Sequence, residues 1–235
     1  MAIAFRSQAG AILTGAVGAG GSLVVNKPAG VLAGDVLIAV VTTWQTISGA
    51  PAGWTLLGSG TGVGFLRKIA GASEPASYSF SLAGASGTPL VASGIIVAFY
   101  GADNSPPLFG FTGHPNPGSE ASPLYAPSLG GVNGGMLIVC TGGLRLDAIG
   151  LAVGSATPPA GMTERGDYAT TAVSDGSVDY PLFYSTTTEL STLTLIADGA
   201  TGDKGITFTN PATHGGAASI MLAQPAVAGG PRMIV

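Results

Sequence analysis

His114 and His214 are the only imidazoles in the chain, and each stands alone. No second histidine or carboxylate lies three or four residues away, the spacing at which a short segment offers two ligands to zinc. Both fall in Gly/Pro-rich segments, where the expected role is a loop side chain or a hydrogen-bonding turn residue, although His214 beside Gly215 and Gly216 could face a partner. Carboxylates come closest in Asp175 with Asp179 and in Asp198 with Asp203. Glycoside hydrolysis needs two carboxylates facing each other across a cleft. Both pairs lie among Gly and Ser, where aspartate is an ordinary turn former. Such loops also offer the hard oxygen ligands that calcium takes, but the twelve-residue EF-hand pattern is absent.

Cys140 is the sole cysteine and sits in the apolar run Met136-Leu-Ile-Val-Cys140 with no acid or base beside it, so it reads as a small core residue. The glycine-rich stretches 18–21 and 58–64 lack the Gly-Lys-Ser/Thr ending of a phosphate loop and precede no helix, and read as hairpin connections. A Gly-x-Ser-x-Gly elbow is missing as well. The sequence therefore nominates no catalytic residue, no metal ligand and no cofactor-binding residue, and the expectation is a non-enzyme.

The aromatic side chains Trp44, Trp54, Tyr78, Tyr100, Tyr125, Tyr168, Tyr180 and Tyr184 offer one further chemistry, the stacking of sugar rings. Trp44 is the candidate for that role. Trp54 follows the tight turn Pro51-Ala-Gly53 and reads as a core anchor.

The elements that must position these residues are strands. Thirty-nine glycines and sixteen prolines interrupt the chain too often for helices of three turns. Between them lie runs rich in Val, Ile, Thr, Tyr and Phe. Ser77-Tyr-Ser-Phe-Ser-Leu82 alternates polar and apolar residues, the mark of a strand buried on one face. Residues 36–41 and 95–99 are apolar on both faces and predict central strands covered by a second sheet or by a neighbouring subunit. Further strands are expected at 11–13, 136–141, 144–153, 162–168, 181–185, 192–197 and 218–224.

Three echoes recur in the same order. Gly34-Asp-Val-Leu-Ile38 matches Gly134-Gly-Met-Leu-Ile138, Pro51-Ala-Gly-Trp-Thr55 matches Pro159-Ala-Gly-Met-Thr163, and Ala92–Ala98 matches Ala217–Ala223. They predict a duplicated antiparallel β unit, and the fold expected is an all-β sandwich of the jelly-roll kind. The organisation that follows is an amino-terminal strand or arm at 1–26, a first unit at 27–103, a Pro/Gly-rich connector at 104–130, a second unit at 131–224 packed on the first, and a carboxyl-terminal arm at 225–235.

Only 9% of residues are charged, against about 25% in an ordinary soluble domain, while 46% are hydrophobic. Eight basic and twelve acidic side chains cannot cover the roughly 9,600 Å² that a folded chain of this mass exposes. Such a surface suits a protein that works assembled with others. The net charge of −4 and the scattered basic residues argue against nucleic acid as a partner. No apolar run approaches the roughly 18 residues a membrane helix requires, and the amino terminus lacks a signal-peptide pattern, so a protein made and kept in a cytoplasm, or released only by lysis, is expected.

The motifs Lys27-Pro-Ala-Gly-Val-Leu-Ala-Gly-Asp-Val-Leu37, Pro51-Ala-Gly-Trp-Thr55, Gly71-Ala-Ser-Glu-Pro-Ala-Ser-Tyr78 and Pro158-Pro-Ala-Gly-Met-Thr-Glu-Arg165 resemble those of a loosely defined group of phage and prophage virion-associated β-sandwich proteins, over about residues 27–223. These are turn-and-strand signatures and carry no catalytic residue. The resemblance implies a virion structural protein of the head-decoration or tail-accessory type. In the first form it would be a cement protein that binds the major capsid protein or other virion proteins as a homo-oligomer, a trimer being favoured. In the second it would recognise host-surface carbohydrate, with Trp44 as the stacking residue. Contacts with neighbours are expected from the connector, through Asn104, Pro106, Pro107, Phe109 and Phe111, and from the arm through Met233, Ile234 and Val235.

Overall fold

The computed structural model describes residues 2–60, 62–84, 86–113 and 121–225. Every regular element among them is a strand. In chain order the first eight are β1 (Ala4–Val17), β2 (Gly21–Asn26), β3 (Val36–Thr43), β4 (Thr46–Gly49), β5 (Thr55–Gly60), β6 (Val63–Ile69), β7 (Ser77–Ala83) and β8 (Pro89–Tyr100). They are followed by β9 (Leu108–Gly113), β10 (Leu124–Ala126), β11 (Gly130–Gly131), β12 (Met136–Asp147), β13 (Ala156–Thr157) and β14 (Thr163–Ala169). The last are β15 (Val173–Ser174), β16 (Phe183–Thr194), β17 (Gly199–Ala200), β18 (Lys204–Phe208) and β19 (His214–Leu222).

These strands build the same object twice. One large sheet runs β1-β8-β3-β6-β5 and the other β9-β19-β12-β16-β14, while the small sheets run β2-β7-β4 and β10-β18-β13. Matched position by position, the eight strands of each unit follow the same chain order, with β11, β15 and β17 as additions in the second. The three sequence echoes fall at equivalent places: the entries to β3 and β12, the turns before β5 and β14, and β8 with β19. Both Pro-Ala-Gly turns close through a hydrogen bond to the proline carbonyl, from Trp54 N at 3.2 Å and Met162 N at 3.1 Å, with Gly53 and Gly161 at φ 81° and 78°. Even the register shift recurs, between Leu56 and Gly58 in β5 and between Glu164 and Gly166 in β14.

Each unit is a two-sheet sandwich, and the two sandwiches stack large sheet on large sheet, which gives four β layers. Strand β3 shows why a run apolar on both faces is required. Val36, Ile38 and Val40 meet the other large sheet, whereas Leu37, Ala39 and Val41 meet the small sheet of their own unit. Strand β7 is an outer strand and alternates, with Tyr78, Phe80 and Leu82 buried beneath its serines. The core of the second unit is filled by Leu124, Leu137, Val139, Ile206, Phe208 and Met221.

Contacts across the middle follow a pseudo-two-fold relation. β1 packs on β14 and its equivalent β9 on β5, β8 packs on β16 and β19 on β6, and β3 meets β12 at the centre. The seam is an isologous interface closed within one chain.

Several expectations are corrected. Of the two forms expected for 1–26, strands or an arm, the structure has the strands, β1 being a fourteen-residue edge strand of the first large sheet and β2 joining the small one. The segment 104–130 is not a plain connector, since β9 is the equivalent edge strand of the second. Residues 18–20 carry the chain from the large to the small sheet and do not close a hairpin, for β1 pairs with β8 and β2 with β7. The strand expected at 144–153 instead ends β12 at Asp147, and the two expected at 181–185 and 192–197 are one strand, β16.

Candidate functional site

Strand β16 is polar along most of its length and yet buried. Ser185, Thr186, Thr187, Thr188, Glu189 and Ser191 are all inaccessible. Buried hydroxyls need partners, and the duplicated fold supplies them from both sides. Toward the seam, the Thr188 hydroxyl donates to Thr42 Oγ1 at 2.7 Å and lies 2.8 Å from Ser93 Oγ, which links the two large sheets. Toward its own core, Ser185 Oγ accepts from the Val153 amide at 2.9 Å and Thr187 Oγ1 donates to the Gly154 carbonyl at 2.5 Å.

At one end of the seam this polar line reaches Trp44. The indole Nε1 donates to the Ser185 carbonyl at 3.0 Å, and the ring packs edge-on with Tyr184 and His214 at centroid distances of 5.2 and 5.0 Å. Trp44 thus bridges the units. It also lines a shallow hollow of about 300 Å³ with Thr43, Gln45, Thr46, Gly62, Leu144 and His214. Gln45 is spent on structure there, its Nε2 donating to the Pro89 carbonyl at 2.6 Å and its Oε1 accepting from the Val91 amide at 3.2 Å. His214 Nδ1 lies 3.1 Å from Thr213 Oγ1. The hollow offers an aromatic wall and side chains already engaged with the protein.

On the inner face of the second unit, Glu189 of β16 is directly opposite Asp167 of β14 in the strand register. Asp167 Oδ2 accepts from the Ala156 amide at 2.8 Å, while among the described residues its Oδ1 and both oxygens of Glu189 make no well-formed hydrogen bond, although the Ser191 hydroxyl is close enough to act on Glu189. Burial pushes the Glu189 carboxyl up to about 8, with the Ser191 hydroxyl opposing it and the negative charges of Glu164 and Asp167 adding to it. Burial likewise lifts Asp167 to about 6. Neither residue is flagged by spacing in the sequence; the only available signal is one carboxylate inside a strand-forming run of Ser and Thr. Cys140, inaccessible on the adjacent strand, has its thiol pushed up by burial and then by Glu189.

Of the aspartates expected to shape turns, Asp175 does so locally, while Asp198 and Asp203 tie distant segments. Asp175 Oδ1 accepts from the Ser177 and Leu182 amides at 2.9 and 3.2 Å. Asp203 ties the loop after β10, accepting from Ser128 N at 2.8 Å, and Asp198 the turn after β11, accepting from Asn133 N at 2.7 Å. Among the described residues no group of three or more His, Cys, Asp or Glu is placed to hold a metal ion.

Phe109 and Phe111, expected to meet a neighbour, pack inward on Phe65 of β6 at 6.0 and 5.5 Å. Gly58 and Gly60 of β5 leave room for them, since a Cβ at either position would stand 2.5 Å from Phe109 and 2.9 Å from Phe111. Asn104 and Pro106 are exposed and Pro107 is half-buried, with the Asn104 and Ser105 carbonyls held by Arg67 Nη2 at 2.5 and 2.9 Å. Met233, Ile234 and Val235 lie outside the described residues, as does His114.

Two loops at one end of the second unit carry a feature that sequence reasoning missed. Asp147 pairs with Arg145 at 2.6 Å and accepts the Ile149 and Leu151 amides at 2.7 and 3.2 Å. The neighbouring loop is pinned by Asp175, and Gly150 lies close to the Phe183 ring at its base. The loops nevertheless leave Ile149 79%, Val178 95% and Tyr180 86% exposed.

No protein-family model, curated protein or solved structure matches this chain.

Proposed function

We propose that this chain is a non-enzymatic structural protein of a bacteriophage particle, a capsid decoration or cement protein that docks on the shell as a homo-oligomer. The observation that carries the reading is the pair of pinned loops. Ile149, Val178 and Tyr180 are held out in water by hydrogen bonds at the loop bases, so little conformational entropy is lost when a partner covers them. A surface with so few charges favours the same outcome. The virion assignment itself rests on the likeness of the turn-and-strand motifs to those of phage sandwich proteins.

The test is co-sedimentation with shells assembled from the major capsid protein encoded beside it, together with ultracentrifugation of the free protein. Wild type should bind and self-associate, and a triple Ile149→Ser, Val178→Ser, Tyr180→Ser variant should lose binding while it keeps its melting transition. A wild-type chain that stays monomeric at high concentration and low salt, with no affinity for shells, overturns the reading.

A second reading, a tail or fibre accessory protein that recognises host-surface carbohydrate, is favoured by the Trp44 hollow alone. Binding to a glycan array by wild type that is measurably weaker in a folded Trp44→Phe variant would support it.

A further inference from the structure

Strand β14 is held by its two faces in different ways. It is the edge strand of its sheet, hydrogen-bonded along one side to β16 and interrupted by the irregularity between Glu164 and Gly166. Its outer face makes the seam. The Tyr168 hydroxyl donates to Gln8 Oε1 at 2.9 Å, the neighbouring Arg165 guanidinium sits 4.4 Å from the Phe5 ring centroid, and Gly166 lies beneath Ile95. Its inner face presents Asp167 to Glu189 in a site that water does not reach on the Glu189 side.

Among the described residues no cation acts on Glu189. From β14 come Asp167 and, at the rim, Glu164, and these are the charges that act on it. Arg165 bonds Thr192 Oγ1 through Nε at 2.8 Å and stacks on Phe5, toward the seam. From β12 comes Thr141, directly opposite in the register, whose hydroxyl donates to the Gly216 carbonyl at 3.1 Å, while the neighbouring Cys140 thiol points to the seam face. The apolar core of the second unit, with Ala156, Met162 and Ile206 among its members, lies on the same face of the sheet.

We propose that Asp167 and Glu189 form a proton-operated latch on β14, closed while Glu189 carries its proton and released when that proton leaves. In the closed state the pair carries at most one negative charge. Loss of the Glu189 proton to water places two anions in register on adjacent strands at a buried site, where an unpaired charge is far more costly than in solvent. Strand β16 is held on both sides, by β12 and β14, whereas β14 has one neighbour. The lower-energy response is therefore movement of β14, which gives both carboxylates water and takes Tyr168 and Arg165 out of the seam. The seam between the units becomes sensitive to pH through a residue that does not touch it.

Hydrogen exchange of the full chain tests this, with rates corrected for the intrinsic effect of pH. The β14 amides of wild type should lose protection by about tenfold or more between about pH 6 and about pH 9, while β12 and β19 keep theirs. In Glu189→Gln, which keeps the shape and can donate to Asp167, β14 protection should not change over that range. Carboxyl carbon NMR of wild type supplies a readout that needs no variant: Glu189 should titrate well above an ordinary glutamate. An ordinary Glu189 titration, β14 protection that is flat with pH in wild type, or an equal loss in Glu189→Gln would each overturn the latch.

Discussion

The ring of Tyr168 on β14 lies directly on the backbone of Gly10 on β1, so that any Cβ at position 10 would overlap the ring. The same tyrosine reaches Gln8 through its hydroxyl, so one residue of the second unit seals the edge of the first. Gly10→Val should force the ring off its seat and cost about 1–3 kcal/mol, the usual penalty for overpacking. Combining it with Tyr168→Ala should cost less than the two single changes added together, because the clash disappears with the ring. Additive costs in urea unfolding would mean that the contact does not bind the units.

Thr42, Ser93 and Thr188 hold one another by hydroxyl contacts of 2.7 and 2.8 Å at an inaccessible point of the seam. Thr188→Val should destabilise the fold by about 1–3 kcal/mol, since it leaves two buried hydroxyls without their shared partner. The triple change Thr42→Val, Ser93→Ala, Thr188→Val should cost less than Thr188→Val alone, because no polar group is then stranded. Thermal or urea unfolding of the two variants checks the order, and a triple variant weaker than the single would refute it.

Those hydroxyls also explain where sequence reading succeeded and failed. Strands β3, β7 and β8 were legible because each follows a hydrophobic pattern set by its layer, and the Pro-Ala-Gly turns were legible because Gly53 and Gly161 adopt positive φ. The middle of strand β16 was hidden because Ser185–Ser191 is polar and its partners come from Thr42, Ser93, Val153 and Gly154, far away in the chain. Only residues 11–13 of β1 were apparent, since Gly10 and Gly15 are there to receive Tyr168 and Leu90. The end of β12 was misplaced because Asp147 draws the chain into a loop by capturing two amides that a strand would use elsewhere. The Asp167 and Glu189 pair is invisible to spacing, being made by strand register across twenty-two positions of sequence.

Stability should pass through a maximum in mildly acidic solution. Glu189 and Asp167 have folded values raised to about 8 and about 6, against 4.5 and 3.8 for the ordinary groups. The folded chain therefore holds protons that the unfolded chain releases. Their stabilising effect is complete below the ordinary values and declines as pH rises toward about 8, by on the order of a few kcal/mol for Glu189 and by much less for the partly exposed Asp167, whose charge solvent screens. Asp147 and Glu74 behave in the opposite way. Burial disfavours their ionisation, but the Ile149 amide, Arg145 and the Leu151 amide for Asp147, and the Gly71 amide, Tyr78 and Lys68 for Glu74, outweigh it and hold both below the ordinary range. Their contribution is present above the ordinary carboxylate values and is lost as pH falls. Urea midpoints measured across pH should show both limbs; Glu189→Gln should flatten the alkaline one and Asp147→Asn should weaken the acidic one. A profile that is flat on the alkaline side in wild type would contradict the burial argument for Glu189.

Trp44 decides between a structural and a recognition role for the hollow it lines. Its indole N–H is used on the Ser185 carbonyl, and Tyr184 and His214 pack on its ring, so Trp44→Ala would open a cavity and strand a buried carbonyl. That change should cost about 3–5 kcal/mol, enough to remove most of the stability of an ordinary domain and to abolish any binding for trivial reasons. Trp44→Phe is the informative variant: it keeps an aromatic ring between the units while removing the donor to the Ser185 carbonyl and part of the ring, for an expected loss of about 1–3 kcal/mol. If the hollow binds sugar rings by stacking, this variant should stay folded and yet bind measurably more weakly on a glycan array, since phenylalanine offers a smaller face. If Trp44 serves only to join the units, the variant should shift the melting temperature and leave every interaction of the protein with its partners unchanged.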